Sequence, residues 1–225
     1  MRIGNTDIEP TKIICIGRNY VEHAKELDSP VPTEPVFFVK TLNSLITNGT
    51  AIIYPRILFE TEEFNRVDHE VELAFIIQKK CKKIAPENVY NYIQGFSIFL
   101  DITARKMQIF DRNRNLPWYR SKNFDTFSVI GPRIVSLSEI KDPHNLKIEL
   151  KVNGEVKQSS NTRYMIFKIP EIIEYVSRFL TLDKGDIVAT GTPSGIGPIQ
   201  PGDIIEAFIE GIGTIKNRVI LEEEE

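Results

Sequence analysis

Eight short runs rich in β-branched and aromatic residues, punctuated by Gly and Pro, constrain this chain more than any other feature. They cover Lys12 to Ile16, Val36 to Lys40, Ala51 to Tyr54, Glu70 to Ile77, Phe96 to Leu100, Phe127 to Ile130, Ile187 to Thr190 and Ile204 to Ile209, and each reads as a strand. The clearest local unit is a hairpin. Leu146, Ile148, Leu150 and Val152 alternate with polar residues and run into Asn153-Gly154, a dipeptide that tolerates the positive φ angles of a two-residue turn. Helical signals are fewer. Ile172, Ile173, Val176, Phe179 and Leu180 form one stripe behind Pro170, a residue suited to a first turn. Shorter helices are predicted over Pro86 to Ile93, over Asn19 to Leu27 with Val21, Ala24 and Leu27 on one face, and over Thr103 to Phe110. The pattern predicts a β-rich α+β fold with a few peripheral helices.

No Gly/Ser linker, repeat or low-complexity tract divides the 225 residues, so one domain over residues 1–225 is the simplest count. The acidic run Glu222 to Glu225 is expected to fray. Twenty-eight Lys and Arg against 31 Asp and Glu give a net charge of −3, which argues against a nucleic-acid partner. The longest apolar run, Leu73 to Ile77, is far below the roughly 18 residues of a membrane-spanning helix. The first dozen residues carry no apolar core for a signal peptide, and a cytoplasmic location is expected. Cys15 and Cys81 have neither disulfide-framework nor zinc-finger spacing and read as reduced, structural thiols.

The most informative stretch for chemistry is DHEVELAF, Asp68 to Phe75. Period two puts Glu70 and Glu72 on one strand face, and Asp101 ends a second apolar strand, GFSIFLD. Three carboxylates brought together repel one another unless a cation neutralises them, and oxygen-only ligands select a hard ion such as Mg²⁺ or Mn²⁺. In GRNYVEHAKEL, His23 and Glu26 stand at i and i+3, where a carboxylate can orient an imidazole as a general base. His69 and His144 read as structural or surface residues. Arg105, Lys106, Arg112, Arg114, Arg120 and Lys122 face the single acid Asp111, with Trp118 and Tyr119 among them, a local excess that suits an anionic small molecule, a neighbouring subunit or bulk water alike. The glycine-rich TGTPSGIGPIQPGD, Thr190 to Asp203, offers backbone amides and two threonine hydroxyls for a carboxylate.

In order along the chain, GRNYVEHAKEL, PVFFVK, HEVELAF, FLDITARKMQ, LPWYRSKNFD, VNGEVKQ and GDIVATGTPSGIGP resemble the fumarylacetoacetate hydrolase family, most closely its short acylpyruvate hydrolase branch. The resemblance implies a mixed β-sandwich or roll and makes Glu70, Glu72 and Asp101 ligands of a divalent ion, Mg²⁺ first, with Mn²⁺ or Ca²⁺ as alternatives. It makes His23, Glu26 and Lys122 catalytic, the first two as a dyad on a lid helix. Arg18, Lys40, Arg105, Gln108 and Thr192 match substrate-facing or site-supporting positions.

The implied reaction is metal-dependent hydrolysis of a C–C bond in an acylpyruvate, giving pyruvate and a carboxylic acid, as in aromatic catabolism. The same family contains isomerases and decarboxylases of the 2-hydroxyhepta-2,4-diene-1,7-dioate type and enzymes that decarboxylate or tautomerise oxaloacetate, and these stand as the alternative. A non-enzymatic nucleic-acid-binding domain is the remote third reading. The implied partners are a small anionic oxo acid and a second copy of the chain, with Val36 to Val39 and Phe127 to Ile130 as candidate interface strands.

Overall fold

The computed structural model describes residues 1–223; the last two residues of the acidic run, Glu224 and Glu225, lie outside them. Its largest element is a seven-stranded mixed sheet, in spatial order Val36–Lys40, Ile13–Gly17, Ile187–Ala189, Val71–Ile77, Ile93–Asp101, Ser128–Val135 and Leu45–Thr47. A five-stranded sheet follows the order Glu155–Asn161, Lys147–Val152, Ile204–Ile209, Gly213–Leu221 and Ile52–Tyr54. A small third sheet joins Thr103–Ala104, Val67–His69 and Gly197–Ile199, and together they make the β-rich α+β fold read from the sequence.

Both faces of the large sheet are covered, which is why its central strand is an unbroken apolar run rather than an alternating one. Leu73, Phe75 and Ile77 point into the main core with Ile148, Leu150 and Ile205 of the second sheet, whereas Ala74 and Ile76 point the other way into a smaller cluster with Cys15, Phe99 and Ile130. Phe127 to Ile130 is buried within the chain's own sheet, so it presents no surface for a second copy. Among the described residues, Val36–Lys40 pairs only with Ile13–Gly17 and forms a sheet edge, with Val39 exposed.

The predicted hairpin forms with Asn153 and Gly154 at φ of 52° and 82°, the pair of positive angles of a type I′ turn. The helix behind Pro170 runs Ile169–Phe179 and buries Ile169, Ile172, Ile173 and Val176. Phe179, predicted on that stripe, is instead exposed and packs beside Tyr175 and Phe37 at the sheet edge. Pro86–Tyr92 is a 3₁₀ helix, consistent with two Asn residues that compete for backbone hydrogen bonds. The helix near residue 20 is shorter than predicted, Val21–Glu26, and Val21 is exposed. Asn19 stays outside it because its side chain binds the Phe167 and Thr190 carbonyls and the Phe167 amide. The helix after Asp101 runs Arg105–Asn113, since Thr103–Ala104 pairs with Val67–His69 first. Among the described residues, no helix is long and apolar enough to cross a membrane.

Candidate active site

Antiparallel pairing builds an acidic cluster at one end of the large sheet. Val71 stands opposite Leu100 and Glu72 opposite Phe99, and the Asp101 amide donates to the Glu70 carbonyl at 2.9 Å, so Glu70 and Asp101 form the next rung. Opposite residues share a face, and so do residues two apart. Glu70, Glu72 and Asp101 therefore project together, on the face that carries the smaller apolar cluster. One ligand oxygen from each lies within 4.8 Å of the others, and all three side chains are buried. An ordinary solvated strand face is ruled out.

Two lysines and an arginine, also buried, surround the cluster. Lys122 Nζ donates to Asp101 Oδ2 at 2.5 Å, to Thr103 Oγ1 at 2.7 Å and to Glu70 Oε2 at 3.1 Å. Lys40 Nζ donates to Asp101 Oδ1 at 2.6 Å and to the Phe127 and Ile102 carbonyls. Arg105 spends its guanidinium on Asp68 at 2.8 Å, on Glu70 and on Gln108. Burial alone would raise the Glu70 carboxyl, but Lys122 and Arg105 hold it well below the ordinary value. Burial likewise opposes the Lys122 charge, yet Asp101 and Glu70 raise its pKa.

Among the described residues, Glu72 pairs directly with no such cation. Its Oε2 accepts the Gly191 amide at 2.8 Å, while burial and then the charges of Asp101 and Glu70 push its pKa well up against the opposing pull of Lys122. Gly191 is required there: its φ is +95° and a Cβ would meet Asn19 Cβ at 2.8 Å and the Ile16 carbonyl at 2.9 Å. A cluster of three buried carboxylate donors in which one resists ionisation is the arrangement a hard divalent cation relieves, and the donor set fits such an ion.

The acids open into a cleft also lined by Arg18, His23, Arg105, Gln108, Lys122 and Thr192. Two expected site residues lie behind it. Glu26 Oε2 sits 3.1 Å from His23 Nδ1, and its other oxygen accepts the Gly195 amide at 3.0 Å, fixing the short helix against the glycine-rich loop. Lys40 is wholly enclosed behind Asp101, a supporting position rather than a substrate-facing one. The cationic stretch divides: Arg105 and Lys122 enter the site and Arg112 reaches the cleft rim. Arg120 instead pairs with Asp111, Lys106 with Asn65 and the Glu62 carbonyl, and Arg114 stacks on Phe110. His69 is buried, and His144 Nε2 accepts the Ile169 amide at a helix start, both structural positions. Burial first, then Asp101 and Glu72, raise the Cys15 thiol well up, which makes it inert.

Several contributors were not read from the sequence. Asp68 anchors Arg105, and Phe38 forms an aromatic wall with the already noted Trp118, ring centroids 5.6 Å apart. Gln158 binds Thr192. Asp68, Phe38 and Gln158 stand inside quoted motifs, but no local periodicity distinguishes them.

Known proteins point the same way. A protein of Pyrococcus abyssi is 51% identical over 99% of this chain and 96% of its own length. The mitochondrial oxaloacetate tautomerase of Bos taurus is 41% identical over 92% of this chain and 90% of its own, and the mitochondrial oxaloacetate decarboxylase of Dictyostelium discoideum is 41% identical over 90% of each. These mitochondrial relatives lend no support to a cytoplasmic location. Among solved structures, fumarylpyruvate hydrolase from Pseudomonas aeruginosa in complex with Mn²⁺ and pyruvate superposes with a TM-score of 0.87 at 30% identity, covering 98% of this chain and 94% of that one. The 2-hydroxyhepta-2,4-diene-1,7-dioate isomerase from Mycobacterium marinum gives 0.83 at 35% identity, covering 96% and 77%. A family model described as fumarylacetoacetate (FAA) hydrolase C-terminal matches residues 12–220. With that match running through the acidic cluster, the lysine and the glycine-rich loop alike, the chain belongs to the fumarylacetoacetate hydrolase family.

Proposed function

We propose that this chain enolises a small 2-oxo acid, with keto–enol tautomerisation of oxaloacetate as its reaction and Mg²⁺ held by Glu70, Glu72 and Asp101. The carrying observation is the buried acidic cluster with the Lys122 ammonium between two of its members. The 41% identity to the tautomerase and the decarboxylase, against 30% to the fumarylpyruvate hydrolase, supports enolisation over the acylpyruvate hydrolysis that the sequence resemblance puts first. A bound divalent ion would supply Lewis acidity, polarising the 2-oxo group and acidifying the neighbouring C–H. The chain supplies the rest. Thr192 and Arg18 orient the anionic substrate, and Lys122 Nζ stabilises negative charge gathering on the enolate oxygen. With Nδ1 held by Glu26, His23 is left to move the substrate proton at Nε2. Phe38, Trp118 and Leu27 keep water from the site. The family match over residues 12–220 supports one catalytic domain across residues 1–225.

A second reading, hydrolysis of an acylpyruvate, is favoured by the His23–Glu26 pair, which could equally activate a water. Rates on oxaloacetate (enol loss and pyruvate formation) and on acetylpyruvate and fumarylpyruvate (pyruvate release), each with Mg²⁺, separate the two. The proposal expects the highest kcat/KM for enol loss. Rapid pyruvate release from an acylpyruvate, with oxaloacetate tautomerising at its uncatalysed rate, would replace it with the hydrolase.

A further inference from the structure

Gln158 is the one fully buried residue of the strand Glu155–Asn161. A buried primary amide has two N–H donors and a carbonyl to satisfy, and this one satisfies all of them. Its Oε1 accepts the Val71 backbone amide at 3.1 Å and lies 3.0 Å from His69 Nδ1; its Nε2 donates to Thr192 Oγ1 at 2.8 Å and to the Pro193 carbonyl at 2.9 Å. The orientation is unambiguous. Val71 N–H can only donate and the Pro193 carbonyl can only accept, so a flipped amide would set donor against donor and acceptor against acceptor.

The consequence falls on Thr192. Its oxygen receives a hydrogen bond, so its own proton remains to be given, and among the described residues that proton meets no acceptor. Thr190, the other threonine of the loop, already donates to the Leu73 carbonyl at 2.9 Å. Thr192 lines the cleft that holds Glu70, Glu72 and Asp101. The same amide ties the loop to Val71, between the two glutamates, and so fixes the spacing from the acidic cluster to the hydroxyl.

We infer that Gln158 is a positioning residue: by donating to Thr192 Oγ1 it makes that hydroxyl a dedicated donor to the carboxylate of the bound 2-oxo acid. The inference rests on the function proposed above and assigns the group that sets the substrate's anionic end. With an apolar side chain at 158 the hydroxyl would rotate freely, and binding would have to order it.

The test is calorimetric binding of oxalate, the two-carboxylate mimic of an enolised 2-oxo acid, to Mg²⁺-loaded wild type, Gln158→Met, Thr192→Val and the double variant. Thr192→Val should weaken oxalate about tenfold, the scale of one charge-assisted hydrogen bond, and Gln158→Met about threefold, the cost of ordering one three-well hydroxyl rotor, with Mg²⁺ affinity held and Thr192→Ser restoring the wild-type value. The double variant should match Thr192→Val, because Gln158 acts only through that hydroxyl. Additive losses, or wild-type affinity in Gln158→Met, would reduce Gln158 to a structural role. Wild-type affinity in Thr192→Val would overturn the inference even if Gln158→Met does not fold. Absence of oxalate binding to the wild-type protein would instead overturn the 2-oxo acid reading itself, and the inference with it.

Discussion

Replacing Lys40 with Met tests whether the cluster is held together by buried charge. The Lys40 side chain has no exposed surface, and its ammonium reaches Asp101 Oδ1 at 2.6 Å, the Phe127 carbonyl at 2.7 Å and the Ile102 carbonyl at 3.2 Å. Breaking a buried pair by removing one partner costs about 3–5 kcal/mol. Two compensations place this case at the low end: Lys122 still holds the other Asp101 oxygen, and the Phe127 carbonyl keeps the Ile102 amide at 3.0 Å. A loss of about 3 kcal/mol lowers the melting midpoint of a chain this size by about 6–12 °C. Divalent metal should narrow the gap. A ligand at about a hundred times its dissociation constant adds roughly 2.7 kcal/mol, and the variant should gain more than wild type because no Lys40 charge competes for Asp101. Thermal unfolding of both proteins, in chelator and in Mg²⁺, measures this. A variant melting within about 2 °C of wild type in chelator, or gaining less from Mg²⁺ than wild type does, would show that the Lys40 charge does not hold the cluster together.

Metal uptake should release protons: burial, Asp101 and Glu70 raise the Glu72 pKa, yet a ligand must be ionised. Binding heats should therefore depend on buffer ionisation enthalpy and affinity should climb as pH rises toward the Glu72 value; identical heats in different buffers would contradict this. Because a raised folded-state pKa favours the protonated fold, the metal-free protein should lose stability as pH rises from the ordinary glutamate range toward that value. Asp186 works with the opposite sign. Burial would raise it, but Lys12 at 2.6 Å and the Asp183 and Thr11 amides hold it low. Asp186→Asn should cost about 1–3 kcal/mol at neutral pH, a deficit measured by denaturant unfolding that disappears as pH falls through the lowered Asp186 value; a deficit unchanged in acid would be inconsistent. His23→Ala should slow oxaloacetate tautomerisation by about 10²–10⁴ while Mg²⁺ affinity, measured by calorimetry, stays at the wild-type level. An unchanged rate would remove His23 from the proton transfer.

The parts of the site legible in the sequence were those with a local signature. Glu70 and Glu72 announce a shared face by period two, and His23 and Glu26 a shared helix face by their three-residue spacing. That Asp101 falls on the rung opposite Glu70 depends on strand pairing between segments about thirty residues apart, which ordered motifs suggest but periodicity does not. Gln158 shows where local reading fails. The hairpin register shifts between Leu150 and Lys151, so that Lys151 faces Val156 but Leu150 faces Gln158. That bulge turns apolar Val156 outward and polar Gln158 inward, against the alternation a regular ladder would impose. Lys40 misleads for a similar reason, since nothing local distinguishes a lysine that reaches substrate from one enclosed behind a carboxylate.

In the proposed reaction, enolisation depends on a divalent ion held by Glu70, Glu72 and Asp101. The most direct measurement is the rate of enol loss from oxaloacetate by wild type and Glu72→Ala, with Mg²⁺ and with chelator, beside the melting curve of each protein. Acceleration is expected only from Mg²⁺-loaded wild type, with Glu72→Ala folded, unable to bind the ion and at the uncatalysed rate. Full acceleration in chelator, or by a metal-free Glu72→Ala protein, would contradict that dependence.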